Sequence, residues 1–214
     1  YHAVREAIPV GVAQFAALRA RSLAYIDHSP LIAALIDRAG AEVVCLERPP
    51  GFGKSLGLSM LRCFFESSAD QVSELFEGLA IAGLGERYQA HQQRYPVIAI
   101  GLGEGRCKSP AELRWWLRAK LRELADEHRV VLQSGALSGL DRELIEEILA
   151  GSASDDAYWR FPRELARALH RVYGERAVLL VDDFDGPILD GVVHGYARAA
   201  VDIVGALLGA GLSD

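Results

Sequence analysis

Residues 42–65 read EVVCLERPPGFGKSLGLSMLRCFF: a short apolar run, a Pro/Gly turn closing on Gly53-Lys54-Ser55, then apolar residues at helical spacing. Glu42-Val43-Val44-Cys45-Leu46-Glu47 has the length and β-branched content of a buried parallel strand, and Pro49-Pro50-Gly51 stops it. From Lys54 onward Leu58, Leu61, Phe64 and Phe65 recur at helical spacing. A strand, a glycine turn and a helix in that order place the backbone N–H groups of residues 51–55 at a helix N-terminus, where unpaired donors and the dipole favour a phosphate. Gly53 lets the backbone approach the anion, Lys54 reaches the β/γ-phosphates, and the Ser55 hydroxyl suits Mg²⁺. The nucleotide loop on this reading is Arg48, Pro49, Pro50, Gly51, Phe52, Gly53, Lys54, Ser55 and Leu56. Against it, the tripeptide alone arises by chance about 0.1 times in a chain of this length. The standard pattern also has glycine where Arg48 stands, and an ordinary strand-to-helix turn with a surface lysine is the plain alternative.

The second half of such a site is an apolar strand ending in carboxylates. Ala177-Val178-Leu179-Leu180-Val181 reads as a buried strand, followed by Asp182-Asp183-Phe184-Asp185 at its carboxyl end, where α/β sheets place ligand chemistry. Mg²⁺ needs a carboxylate beside the phosphate-loop hydroxyl, which assigns Asp182 to the metal. Asp183 stands where a carboxylate orients the attacking water, so Lys54 and Asp183 are the catalytic candidates. The bland reading is a capped strand end in a turn. Asp185 is open between a helix or turn cap and a supporting partner of the metal.

The rest of the chain is read as alternating helices and strands. Residues 8–20 give a short helix carrying Phe15 and Leu18, and Tyr25-Ile26-Asp27 is extended. Ser29 caps a helix with Pro30 at N1, carrying Leu31, Ile32, Leu35 and Ile36 and stopping at Gly40. Val72, Leu75 and Phe76 suggest one further helical turn, and residues 96–102 a second buried strand. Ser109-Pro110-Ala111-Glu112 is a capping box opening a helix to about His128, with Leu113, Trp116, Leu117, Leu121 and Leu124 inward. Residues 141–150 form a helix closed by Gly151, residues 151–156 a polar break, and Pro162 opens a helix ended by Gly174. Residues 196–208 form a last apolar helix interrupted by Gly205.

Three lesser features are read as structural. Gly101-Leu102-Gly103-Glu104-Gly105 has the look of a dinucleotide loop, yet no helix opens from its glycines, and a turn is favoured. Arg160, Arg163, Arg167 and Arg171 share one side of a helix, and a solvated face is favoured over phosphate binding. His91, His170 and His194 have no mutual spacing that suggests a metal or a dyad.

Taken together, several stretches resemble the AAA-ATPase-like family. They are Ile8-Pro9-Val10-Gly11, Tyr25-Ile26-Asp27, Arg48 to Leu56 with Leu58-Ser59-Met60-Leu61, His91 to Ile98, and Val181-Asp182-Asp183-Phe184-Asp185-Gly186-Pro187-Ile188. The resemblance covers nearly the whole chain and implies that Arg48 in place of the first glycine is the family's habit. It also implies a PD-(D/E)XK nuclease-like domain after the ATPase in many members, and contact with DNA through that domain. Two departures stand out: Asp182-Asp183 where the family usually has Asp-Glu, and Asp27-His28 where it has an Asp-Lys pair. The family pattern continues past Asp214 with a strand bearing a polar sensor residue.

Composition bounds the rest. The chain has 214 residues, 50% hydrophobic and 24% charged, enough to bury a large core, with a net charge of −6 that argues for neither nucleic acid nor an anionic membrane. Cys45, Cys63 and Cys107 lack metal-ligand spacing and read as reduced and buried, in a cytoplasmic protein without a membrane segment. With Met60 the only methionine, the sequence reads as the N-terminal part of a longer protein. The expectation is therefore one α/β domain over residues 1–214, a three-layer P-loop NTPase fold with a mainly parallel sheet, truncated before the sensor strand. Its expected ligands are ATP and Mg²⁺, its activity ATP hydrolysis that drives or gates an attached effector, with self-association into a homo-oligomer left open. The rivals are a nucleotide-gated interaction module with little hydrolysis and a P-loop kinase for a small acceptor.

Overall fold

The computed structural model, which describes residues 14–21, 23–38, 43–47, 51–68 and 72–212, is an α/β fold made mostly of helix with a two-stranded parallel sheet. The chain divides into two units, residues 1–95 and 96–214.

Aromatic packing organises the first unit. Helix α1 (Phe15–Ala20) presents Phe15 and Leu18, both fully buried, as the sequence predicts. The Phe15 ring meets Phe76 at 5.1 Å and Tyr25 at 5.5 Å, and Phe64 meets Phe76 at 5.3 Å. Each such side chain contributes roughly 1.5–3 kcal/mol by burial, and the edge-on contacts add to it. Polar ties set the register of α1: the Phe15 amide donates to Ser59 Oγ at 3.0 Å, and Arg19 Nε to the Leu75 carbonyl at 2.8 Å.

Helix α2 (Pro30–Asp37) has proline at its first position, but the Ser29 side chain does not cap it. Ser29 Oγ instead accepts from the Ile81 amide at 3.1 Å, and Asp27 accepts from the Ser29 amide at 2.8 Å and the Ala80 amide at 2.7 Å. Desolvation opposes ionisation of Asp27, but these bonds outweigh it and hold its carboxyl below the usual value. Helix α3 (Lys54–Phe65) buries Met60, Leu61, Phe64 and Phe65 and carries Leu58 half-buried. Turns of 3₁₀ helix at Ser73–Phe76 and Ala80–Gly83 and the short α4 (Glu86–Gln89) complete this unit.

The strand expected at residues 42–47 does not form among the described residues: residues 43–47 make no ladder, Val43 is 57% exposed and Cys45 is exposed. β-branched residues favour an extended chain, but a strand also needs a neighbour to pair with and a layer to cover it. Cys45 is therefore not a core thiol. Cys107 is buried, as read, whereas Cys63 is only half-buried.

In the second unit β1 (Val97–Gly101) pairs in parallel with β2 (Val178–Asp182), Val97 opposite Val178 and Gly101 opposite Asp182. Helices α5 (Pro110–Glu127), α6 (Gly139–Ala150) and α7 (Asp155–Tyr173) form the crossover. Leu113, Leu117, Leu121 and Leu124 of α5 meet Ile98 and Ile100 of β1, with Ile145, Ile148, Phe161, Leu165 and Leu169 in the same core. The α5 cap is half a capping box: Ser109 Oγ accepts from the Glu112 amide at 3.2 Å, while the Glu112 carboxylate accepts from Lys108 rather than Ser109. Strand β2 is less buried than expected, with only Leu180 inside, because among the described residues it pairs on one edge alone.

Helix α7 starts before Pro162, contrary to expectation. Ser154 Oγ accepts from the Ala157 amide at 3.2 Å, Asp155 and Asp156 complement the helix dipole, and Asp155 is fixed by Arg118 of α5. Pro162 lies inside the helix, where it removes one ladder bond at a cost of about 3 kcal/mol, and it is buried among the core residues that offset that cost. The end of the chain is two helices rather than one, α8 (Gly186–His194) and α9 (Ala197–Leu212), and Gly205 does not interrupt α9. Gly195, with φ 79°, ends α8, and Gly191 allows α9 so close that a β-carbon there would lie 2.9 Å from Ala197 Cα.

Asp141 links α6 to α7. It closes a capping box with Ser138, accepting from the Ser138 amide at 3.1 Å, and receives Arg171 Nη1 at 2.7 Å. Burial opposes its ionisation, but the Ser138 hydroxyl and amide and the Arg171 charge outweigh burial and lower its pKa. The unfolded chain therefore binds this proton more tightly, so the contribution is full above the ordinary value of 3.8 and fades as pH falls through the lower folded value. Asp141→Ala should cost about 1–3 kcal/mol at neutral pH, measured by urea unfolding, and the gap to wild type should narrow below about pH 4. A gap unchanged down to pH 2.5 would show that Asp141 acts only by packing.

Candidate functional site

The phosphate-loop candidates lie in the first unit at the start of α3. Gly51 and Gly53 have φ of 81° and 71°, the left-handed region that an L side chain rarely adopts. Gly53 occupies the N-cap position, and the first helical bond is from the Gly57 amide to the Gly53 carbonyl at 2.8 Å. A glycine cannot cap with a side chain, so the first-turn amides have no capping oxygen from that residue. The first turn of α3 contains no acid and begins with Lys54, whereas α5, α6 and α7 each carry Asp or Glu there. Among the described residues, a β-carbon at Gly51 or Gly53 would meet no atom within 4 Å. Phe52 is 66% exposed beside it, and Lys54, Ser55 and Leu56 are half-buried. Arg48, Pro49 and Pro50 fall outside the described residues.

The carboxylate candidates lie in the second unit. Asp182 is the last residue of β2, opposite Gly101, and its carbonyl accepts from the Leu102 amide at 2.9 Å. Asp183 leaves the strand in the left-handed region, with φ 49°, and its carbonyl accepts from the Gly186 amide at 2.9 Å. The chain thus turns sharply and enters α8. Both Asp182 and Asp183 are half-buried, whereas Asp185 is exposed. Asp185 stands at the N-cap of α8 and accepts from the Ile188 and Leu189 amides through its carbonyl, while its carboxylate makes no cap bond.

The lesser features resolve as structural. No helix opens from Gly101 to Gly105, since α5 begins at Pro110. Each of the four arginines has a carboxylate neighbour: Arg160 with Asp156 at 2.9 Å, Arg163 and Arg167 with Glu164 at 3.1 and 3.3 Å, and Arg171 with Asp141 at 2.7 Å. His91 Nδ1 lies within hydrogen-bond distance of the Tyr95 hydroxyl, and His170 and His194 are exposed. Among the described residues no group of three or more His, Cys, Asp or Glu could hold a metal unaided, and no helix is long and apolar enough to cross a membrane.

Sequence reading placed Asp27 in a family stretch but missed its role, in which its two oxygens serve the Ser29 and Ala80 amides. The available signal was an aspartate two residues before a serine-proline helix start, the spacing of an Asx-turn.

Known proteins extend this picture. No solved structure matches the chain. A curated protein of Azotobacter chroococcum mcd 1, described as an uncharacterized protein in the vnfD 5' region, is 30% identical over 191 residues, 89% of this chain and 31% of that protein. The chain thus spans less than a third of the relative's length. A family model described as predicted AAA-ATPase matches residues 9–212, and the chain belongs to the AAA-ATPase-like family.

Proposed function

We propose that this chain is a P-loop NTPase domain that binds ATP with Mg²⁺ and hydrolyses it. The observation that carries the reading is the start of α3: two left-handed glycines, one of them at the N-cap where it offers no side chain, no acid in the first turn, and lysine at its first position. A helix start of that kind favours an anion through its amides, its dipole and the lysine charge. Membership of a predicted ATPase family supports the same ligand.

In this reading the amides of residues 51–55 cradle the phosphates and Lys54 neutralises the β/γ oxygens. The donor set suits Mg²⁺, since a hydroxyl and a carboxylate are hard oxygen ligands and phosphate and water complete such sites. Ser55 and Asp182 would hold the ion, and its chemistry when bound is neutralisation of phosphate charge. Asp183 orients the attacking water. Positioning and fixed charge supply catalysis, without a covalent intermediate on the protein. The relative's greater length supports an attached effector under nucleotide control, and a nuclease-like domain with DNA as its substrate is the proposed class. A second reading, a nucleotide-gated module with slow hydrolysis, is favoured by the short carboxylate of Asp183 and its left-handed backbone.

Lys54→Ala should weaken ATP binding by about 10- to 100-fold, the loss of a charge-assisted contact worth roughly 1.5–3 kcal/mol. The thermal transition should be retained, and calorimetric titration reads the affinity. Equal affinity in both proteins would remove the phosphate-loop assignment.

Asp182→Asn should abolish the Mg²⁺-dependent part of nucleotide affinity. Asp183→Asn should keep affinity and reduce turnover by roughly 10²- to 10⁴-fold. Titrations with and without Mg²⁺, paired with phosphate release, separate the two, and exchanged phenotypes would move the carboxylate register by one. Turnover that is negligible in wild type with tight binding retained would favour the gated module.

A further inference from the structure

The loop after β1 has no room for a side chain at Gly103, because Asp183 fills the space. A β-carbon on Gly103 would lie 2.6 Å from Asp183 Oδ2, 2.9 Å from its Cβ and 3.1 Å from its Cγ. The Gly103 backbone does not itself demand glycine, since its φ lies outside the left-handed region. What excludes a side chain there is Asp183.

The surroundings keep the two loops from drifting apart. The Leu102 amide donates to the Asp182 carbonyl at 2.9 Å, and a β-carbon on Gly186 would come within 3.1 Å of both Gly103 Cα and Leu102 O. Farther along, the Cys107 amide donates to Asp190 Oδ2 at 2.9 Å and the Tyr196 hydroxyl to the Cys107 carbonyl at 2.6 Å. Asp183 is held on its other side by the Gly186 amide on its carbonyl. With both backbones tied, a side chain at 103 could be admitted only by shifting Asp183 itself, its Cβ as well as its carboxylate. A β-carbon on Gly101, two residues earlier, would meet nothing within 4 Å among the described residues, and Gly101 serves as the control.

We infer that Gly103 is a positioning residue for turnover, its bare α-carbon forming the seat that aims the Asp183 carboxylate. The inference rests on the reading of Asp183 as the group that orients water. Catalytic geometry is sensitive on this scale, and a displacement of about 1 Å can cost roughly a hundredfold in rate.

The test uses the whole chain in three substitutions, Gly103→Ala, Asp183→Gly and the double variant, with Gly101→Ala as control. Gly103→Ala should lower kcat about a hundredfold while the ATP affinity and KM stay near wild type, and Gly101→Ala should leave both unchanged. Thermal unfolding supplies a readout that needs no ATP. Gly103→Ala should lower the melting temperature by about 3 °C or more in the wild-type background, and far less in Asp183→Gly, which removes all three crowding atoms and tolerates the left-handed backbone. An equal thermal penalty in both backgrounds overturns the contact. A coupled penalty with kcat unchanged overturns the positioning role. Absence of wild-type turnover overturns the hydrolysis reading and the kinetic role with it, and the thermal cycle still reports the contact, so the two failures are distinguishable.

Discussion

The parallel ladder between β1 and β2 is the constraint on which the second unit depends. It joins segments far apart in sequence, so the closure entropy of a long crossover is offset only once α5, α6 and α7 bury their apolar faces on it. The register then dictates chemistry. Because Gly101 stands opposite Asp182, the two chains leave the sheet at the same level, and the loop after β1 meets the aspartates after β2. A slip of one residue would turn every side chain of a strand to the other face and break that meeting.

Helix starts in this chain differ in chemistry, and α1, α2 and α8 have neither a side-chain cap bond nor an acid in the first turn. The starts of α5, α6 and α7 are closed by serine hydroxyls and complemented by acids, and they serve stability. The start of α3 carries glycine and lysine in those places. Glycine at the N-cap in place of a capping side chain forgoes roughly a few tenths of a kcal/mol, and a lysine at the first position opposes the dipole rather than complementing it. A bound polyanion reverses both costs, so ligand binding should couple to the stability of α3 and of the aromatic cluster it packs into.

How far the sequence could be read depended on whether the deciding interaction was local. Helix α5 was legible because Ser109, Pro110 and leucines four apart are local signals. The glycine turn that opens α3 was legible for the same reason. The start of α7 was misread because proline marks the first helical turn far more often than an interior position, and only the buried core explains Pro162. Helix α8 was missed because Leu189, Val192 and Val193 remain exposed, so no amphipathic stripe announced it. The misread strand at residues 43–47 has the propensity but lacks the ladder among the described residues. Gly103 was invisible as a site residue, since its meaning lies in a side chain from another strand end.

The same geometry gives a physical reason for aspartate at 183, where the resemblance to the family leads one to expect glutamate. The backbone there has φ 49°, a region in which Asp and Asn are enriched several-fold among non-glycine residues because a short polar side chain can bond locally. A glutamate in that conformation bears the same steric cost without that local compensation, and it would bring one more methylene to a site where Asp183 already leaves no room for a β-carbon at Gly103. The close seat and the short acid are therefore two sides of one packing solution. The proposed water-orienting group is aimed by a tight loop contact, with its reach set by the loop after β1 as much as by its own length.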